Sequence, residues 1–293
     1  MSYYERGSRR LHYQLIFRSD EGRDLETPLV VYMHGLLMDN LSSGYFTFAH
    51  QLSAHADVLL YDLCGHGRSK ITSSGYHAQD HLDDLKGLIE TVEQELKTRR
   101  NRPEIPETPL AQRSLFWIGC SYGGVLALKA AQRFSQTLGV ALLEGHLGHE
   151  TFVRQLRADL SSTGAEAEAL IGHHFQHWLH RGSGRKRRRL AQRARQLIEE
   201  STLLEDLESS PLALDEWLCP ESFTYPIYAL YGEDSDARAV ALDFLRRRQL
   251  AGAKDDEVHI FPQCTHALLW EATDAVTRTL ECCVQRAKAL QLK

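Results

Sequence analysis

The run Gly119-Cys120-Ser121-Tyr122-Gly123-Gly124 sets a serine among closely spaced glycines. The apolar, strand-like Leu115-Phe116-Trp117-Ile118 precedes it, and the helix-prone Val125-Leu126-Ala127-Leu128-Lys129-Ala130 follows. A G-x-S-x-G between strand and helix is a nucleophile elbow. Its turn is so tight that small residues must flank it, and the serine is held exposed at the sheet edge. A serine hydroxyl attacks poorly until a base takes its proton, and the tetrahedral oxyanion that forms needs preorganised donors. The chemistry in view is therefore acyl transfer. The chain has 15 histidines from which to draw a base.

Positioning such groups requires a sheet. Leu11 to Phe17 alternates apolar and polar residues, as a half-exposed strand does, and Gly7-Ser8 before it suits a hairpin turn. Continuous apolar runs follow at Pro28–Met33, Ala56–Tyr61, Ser114–Ile118, Leu138–Leu143 and Pro226–Tyr231, with a further strand at Glu257–Phe261. Unbroken apolar strands belong to a parallel sheet covered on both faces. Helical patterns lie between them at Leu41–Ala54, Ala78–Thr98, Gly123–Phe134, Ala237–Gln249 and His266–Leu290. The alternation predicts an α/β fold, doubly wound, with its site beyond the carboxyl ends of the strands.

One stretch departs from this rhythm. Residues 146–225 contain no strand pattern and are rich in Leu, Ala, Arg and Glu. The expectation is a core domain of residues 1–145 and 226–293, interrupted by an inserted helical cap, or lid, over 146–225. A chain of 293 residues accommodates both.

Composition narrows the class. With 43% hydrophobic and 25% charged residues the chain is ordinary globular protein, neither fibrous nor disordered. The formal net charge of −5 lacks the field of a general nucleic-acid binder. No apolar run reaches the ~18–20 residues of a membrane helix. The first ten residues carry Glu5, Arg6, Arg9 and Arg10 and no apolar segment of the secretory kind. The six cysteines form no C-x-x-C pair, so reduced thiols and a cytoplasmic location are expected.

Several motifs together resemble the α/β-hydrolase superfamily, over nearly the whole chain. His34-Gly35-Leu36 after the third strand resembles its oxyanion loop, and Asp62-Leu63-Cys64-Gly65-His66-Gly67-Arg68-Ser69 its D-x-x-G-x-G-x-S stretch. Phe261-Pro262-Gln263-Cys264-Thr265-His266 resembles the last strand and the loop of the catalytic histidine. The resemblance implies Ser121 as nucleophile, His266 as general base and then acid, and the N–H groups of Leu36 and Tyr122 as the oxyanion hole.

The family's acid usually sits three residues after the glycine closing the seventh strand. Here Gly232-Glu233-Asp234-Ser235-Asp236 puts a serine there, with carboxylates one residue to either side. Asp236 is favoured, as a one-residue shift of the same loop. Asp234 and Glu144 are the alternates, the latter at the end of the sixth strand, from which some members supply the acid.

In the insertion, Phe175 and Trp178 lie on an apolar helical face that could roof an acyl pocket or simply pack on the core. His173, His177 and His180 nearby have no acidic or cysteine partner, so neither a metal nor a cofactor is expected. Residues 181–195 hold eight basic residues and no acidic one. Their core, Arg185–Arg189, could attract the phosphates of coenzyme A or an acyl carrier protein, or be a solvated helix face. The expected function is a serine hydrolase of the carboxylesterase or thioesterase type, acting on a small-molecule ester or acyl-thioester. The alternatives are an acyltransferase using the same triad, or a ligand-binding protein on this fold with weak turnover.

Overall fold

The computed structural model describes residues 2–18, 27–99, 113–163, 171, 184–222 and 224–291. Among the described residues, eight strands form one sheet in the order β1-β2-β4-β3-β5-β6-β7-β8. They are β1 (Ser2–Arg6), β2 (Arg9–Ile16), β3 (Leu29–Met33), β4 (Asp57–Tyr61), β5 (Leu115–Cys120), β6 (Thr137–Leu143), β7 (Ile227–Gly232) and β8 (Glu257–Phe261). The β1–β2 hairpin pairs antiparallel to itself and to β4, and the other strands run parallel. Gly7, at φ +60°, makes the turn of that hairpin without Cβ strain.

The apolar runs become strands because both faces of the sheet are covered. Along β3, Leu29, Val31 and Met33 enter one core layer, and Val30 and Tyr32 enter the other. Each such fully buried aliphatic side chain contributes about 1.5–3 kcal/mol. The first layer is closed by α3 (Ala78–Arg99), α4 (Tyr122–Arg133) and α8 (Arg238–Ala251). The second is closed by α2 (Ala49–Leu52) and α10 (Thr273–Gln291).

Two expected helices are divided. Leu41–Ala54 becomes α1 (Ser42–Tyr45) and α2, because the Thr47 hydroxyl bonds back to Ser43 O and Gly44 is pressed on the Tyr32 ring. His266–Leu290 becomes α9 (Leu268–Glu271) and α10, with Ala272 leaving helical geometry between them.

Between β6 and β7 the described elements are helical: α5 (His149–Thr163), α6 (Gly184–Glu200), α7 (Leu203–Glu208) and two 3₁₀ turns at Leu214–Trp217 and Pro220–Ser222. On α6, Ala191, Ala194 and Leu197 are buried while Arg185, Arg188 and Arg189 face solvent. This segment docks on the loop after β4. Leu197 lies so close that a Cβ on Gly65 would meet its Cδ1 at 2.4 Å. Arg193 donates to Ser69 O (2.9 Å), Thr202 N–H to Ser73 O (3.0 Å) and Tyr76 N–H to the Asp206 carboxylate (2.9 Å).

Candidate active site

Ser121 sits between β5 and α4 at φ +52° and ψ −120°, a backbone state costing about 1–3 kcal/mol. Its surroundings hold it there. A Cβ on Gly123 would meet Met33 O at 2.0 Å, and one on Gly119 would meet Gly123 O at 2.2 Å. Ser121 N–H donates to Leu143 O (3.1 Å), while Ser121 O accepts from Gly124 N–H and His146 N–H (both 2.9 Å). The strain is thus tied to β6 and to the start of α4.

His266 lies five residues beyond β8. Its Nε2 is 3.1 Å from Ser121 Oγ, and its Nδ1 is 3.2 Å from Glu144 Oε2. Glu144 follows β6 at φ +54°, pinned by its own N–H to Leu230 O (2.9 Å). Its carboxylate is buried, with 1% of the side chain exposed. It accepts from Gly232 N–H on one oxygen and from the Ser235 hydroxyl on the other. A buried carboxylate needs such donors to offset its lost hydration.

Of the three carboxylates weighed, the structure brings the alternate Glu144, and not the favoured Asp236, to His266. The carboxylate facing His266 Nδ1 is that of Glu144, whereas Asp236 and Asp234 are both exposed. The loop after β7 buries Ser235 and turns both neighbouring side chains outward, so no one-residue shift carries Asp236 inward. Ser235 itself was not singled out as a functional residue. Its signal was a hydroxyl standing where the resemblance called for a carboxylate.

Tyr122 opens α4, so its N–H has no acceptor within the helix. Leu36 is buried in the loop after β3. His146, two residues past Glu144, stacks edge-on to His266 with ring centroids 6.1 Å apart. Burial first, then His266, pushes the His146 imidazole below its ordinary pKa. Phe175 and Trp178 lie outside the described residues, as do His173, His177 and His180. Arg185, Arg188 and Arg189 are exposed on α6, and the side chains of Lys186 and Arg187 fall outside the description. Among the described residues no group of three or more His, Cys, Asp or Glu side chains is arranged to hold a metal ion. No described helix is long and apolar enough to cross a membrane.

This arrangement can draw a proton from Ser121 Oγ to His266 and hold the resulting imidazolium against a buried carboxylate. Residues 30–279 match the alpha/beta hydrolase family, and the chain belongs to it. A curated relative, the 2-(acetamidomethylene)succinate hydrolase of Mesorhizobium japonicum, is 34% identical over 65 residues. That match covers 22% of this chain and 23% of the relative, well under two thirds of its length. Among solved structures, an enol-lactonase from Burkholderia xenovorans superposes with a TM-score of 0.64 at 20% identity, covering 95% of this chain and 98% of that one. A thermophilic esterase from Thermogutta terrifontis gives 0.68 at 16% identity, with 95% and 94% covered. A bacterial membrane phospholipase A gives 0.71 at 17% identity, with 98% and 86% covered. These likenesses establish the shared fold.

Proposed function

We propose that the protein is a serine hydrolase that cleaves a carboxylic ester or thioester through an acyl-serine intermediate. The observation that carries this reading is the continuous relay Ser121 Oγ, His266 Nε2, His266 Nδ1, Glu144 Oε2, with both links at 3.1–3.2 Å. His266 takes the Ser121 proton as Oγ attacks the acyl carbon, then delivers it to the leaving alcohol or thiol. Glu144 keeps the ring oriented with Nδ1–H toward itself and stabilises the imidazolium. The N–H groups of Leu36 and Tyr122 receive the oxyanion. Water, activated by the same histidine, then frees the acid. The described helices α5, α6 and α7 are read as part of the cap over this site.

Replacing Ser121→Ala should abolish turnover of p-nitrophenyl esters and labelling by a fluorophosphonate. Activity retained without the serine hydroxyl would defeat the assignment. Steady turnover of the unmodified protein also separates a hydrolase from a ligand-binding relative, which stalls at the acyl-enzyme. The solvent-facing Arg185, Arg188 and Arg189 support a finer reading, in which the acyl group arrives on coenzyme A or an acyl carrier protein. In a substrate panel that reading requires thioester turnover alone to fall with rising salt.

A further inference from the structure

The loop after β3 is held by two buried histidines that the relay does not use. His34 belongs to that loop and His66 to the loop after β4, and both rings are essentially inaccessible to solvent. They bond reciprocally across the two loops. Leu63 N–H donates to His34 Nε2 (2.9 Å), and Leu37 N–H donates to His66 Nε2 (2.8 Å). Since each Nε2 accepts, each ring is a neutral tautomer with its proton on Nδ1. The Nδ1 groups have acceptors to match: His34 Nδ1 is 2.6 Å from Gly35 O, and His66 Nδ1 is 2.9 Å from Cys64 O.

Leu36 lies between the two peptides so fixed. The peptide before it carries Gly35 C=O and Leu36 N–H. These point in opposite directions in a trans peptide, and the described chain has no cis bond. Holding Gly35 O against His34 therefore aims Leu36 N–H the other way. The peptide after it carries Leu37 N–H, which His66 draws off to the opposite loop. Leu37 sits at φ +58°, so the loop is strained and requires such restraint. Asp39 adds a further hold by accepting Gly35 N–H (2.8 Å).

We propose that His34 and His66 are positioning residues that lock the peptides on either side of Leu36 and so aim its N–H at the oxyanion formed on Ser121. This rests on the hydrolase reading above. Burial, reinforced by His34, pushes His66 down to about 3, and burial lowers His34 as well, so both rings stay neutral where the enzyme would be assayed. Protonating either Nε2 would set an N–H against a backbone N–H and open the clasp.

The test compares His66→Leu, which removes the acceptor, with His66→Gln, whose side-chain oxygen can still accept from Leu37 N–H. For His66→Leu we expect kcat on a p-nitrophenyl ester to fall about 10- to 100-fold, with KM changed less than about twofold, because an oxyanion donor acts in the transition state. A trifluoromethyl ketone, which forms an anionic tetrahedral adduct, should weaken in parallel. His66→Gln should recover most of both. A folded His66→Leu protein with unchanged kcat and inhibitor affinity would overturn the proposal, as would His66→Gln remaining as impaired as His66→Leu. Should His66→Leu fail to fold, nitrogen NMR of the unmodified protein decides. Both rings must show a proton on Nδ1 alone at neutral pH, and Leu36 N–H must shift when the ketone binds. An Nε2-protonated ring or an unmoved Leu36 amide refutes the clasp. If the unmodified enzyme neither turns over esters nor labels at Ser121, the hydrolase reading has failed instead.

Discussion

At Ser235 the chain keeps the loop position from which related enzymes supply a carboxylate, yet the side chain there is a hydroxyl bonded to Glu144. The two side chains meet at Glu144 Oε2, the oxygen that faces His266 Nδ1. That convergence makes the acid transferable. Glu144→Ala should lower kcat roughly 10³- to 10⁴-fold, the order seen when an orienting carboxylate is lost. Adding Ser235→Asp to that variant should restore at least about tenfold, because the new carboxylate grows from a side chain already within reach. Ser235→Asp alone should lower activity, since two adjacent buried carboxylates cannot both stay ionised. Stopped or steady-state ester hydrolysis on folded variants measures all three. A double variant no faster than Glu144→Ala would show that the two positions are not equivalent. The pairing of Ser121 with His266 was legible because each lies in its own short motif. The choice of Glu144 over Asp236 as the carboxylate facing His266 was not, because it requires knowing which side chains of residues 232–236 turn inward.

Among the elements, the elbow between β5 and α4 shows what packing demands of sequence. Gly123 approaches Met33 O and Gly119 approaches Gly123 O through rigid backbone, so no side chain can move aside. Gly123→Ala should destabilise the protein by about 3 kcal/mol or more and silence the nucleophile. Gly148, with nothing within 4 Å of a Cβ, supplies the contrast: Gly148→Ala should stay within about 0.5 kcal/mol of the unmodified protein. Thermal melting and ester turnover test the pair, and equal effects would mean that crowding is not what fixes the elbow glycines. Strands β3 to β7 were legible to within a residue or two, since a strand buried on both faces writes itself as an unbroken apolar run, whereas the half-buried β1 was not given a strand. Helix boundaries fared less well. The split around Phe46 follows the tertiary contact of Gly44 on Tyr32, to which periodicity is blind.

For the whole molecule, the two ends of the sheet divide the labour. At the carboxyl ends of the strands lie Ser121, Glu144 and the loops of His34 and His266. At the amino ends lie buried ion pairs. Arg113 reaches Asp57 at the start of β4 and Glu93 on α3, and Arg248 on α8 holds Asp256, which also receives Ile227 N–H at the start of β7. Arg248 further donates to Trp217 O and Ser222 O, fastening the end of the helical segment beneath the sheet. Strand β7 spans the two functions: Ile227 meets the clamp, while Gly232 N–H, roughly 17 Å away at the other end, meets Glu144. Neither cluster was visible in the sequence, because an arginine on a helix, like Arg248, or just before a strand, like Arg113, looks like surface until its partner is placed. Arg248→Met strands a buried carboxylate and should cost about 3–5 kcal/mol, lowering Tm by on the order of 10 °C. The catalytic end should be untouched, with kcat per folded molecule unchanged at temperatures well below the transition. Adding Asp256→Asn removes the stranded charge and should recover a large part of the lost Tm. A fall in kcat that parallels the fall in Tm would instead mean that the amino-end clamp and the relay act as one unit through β7.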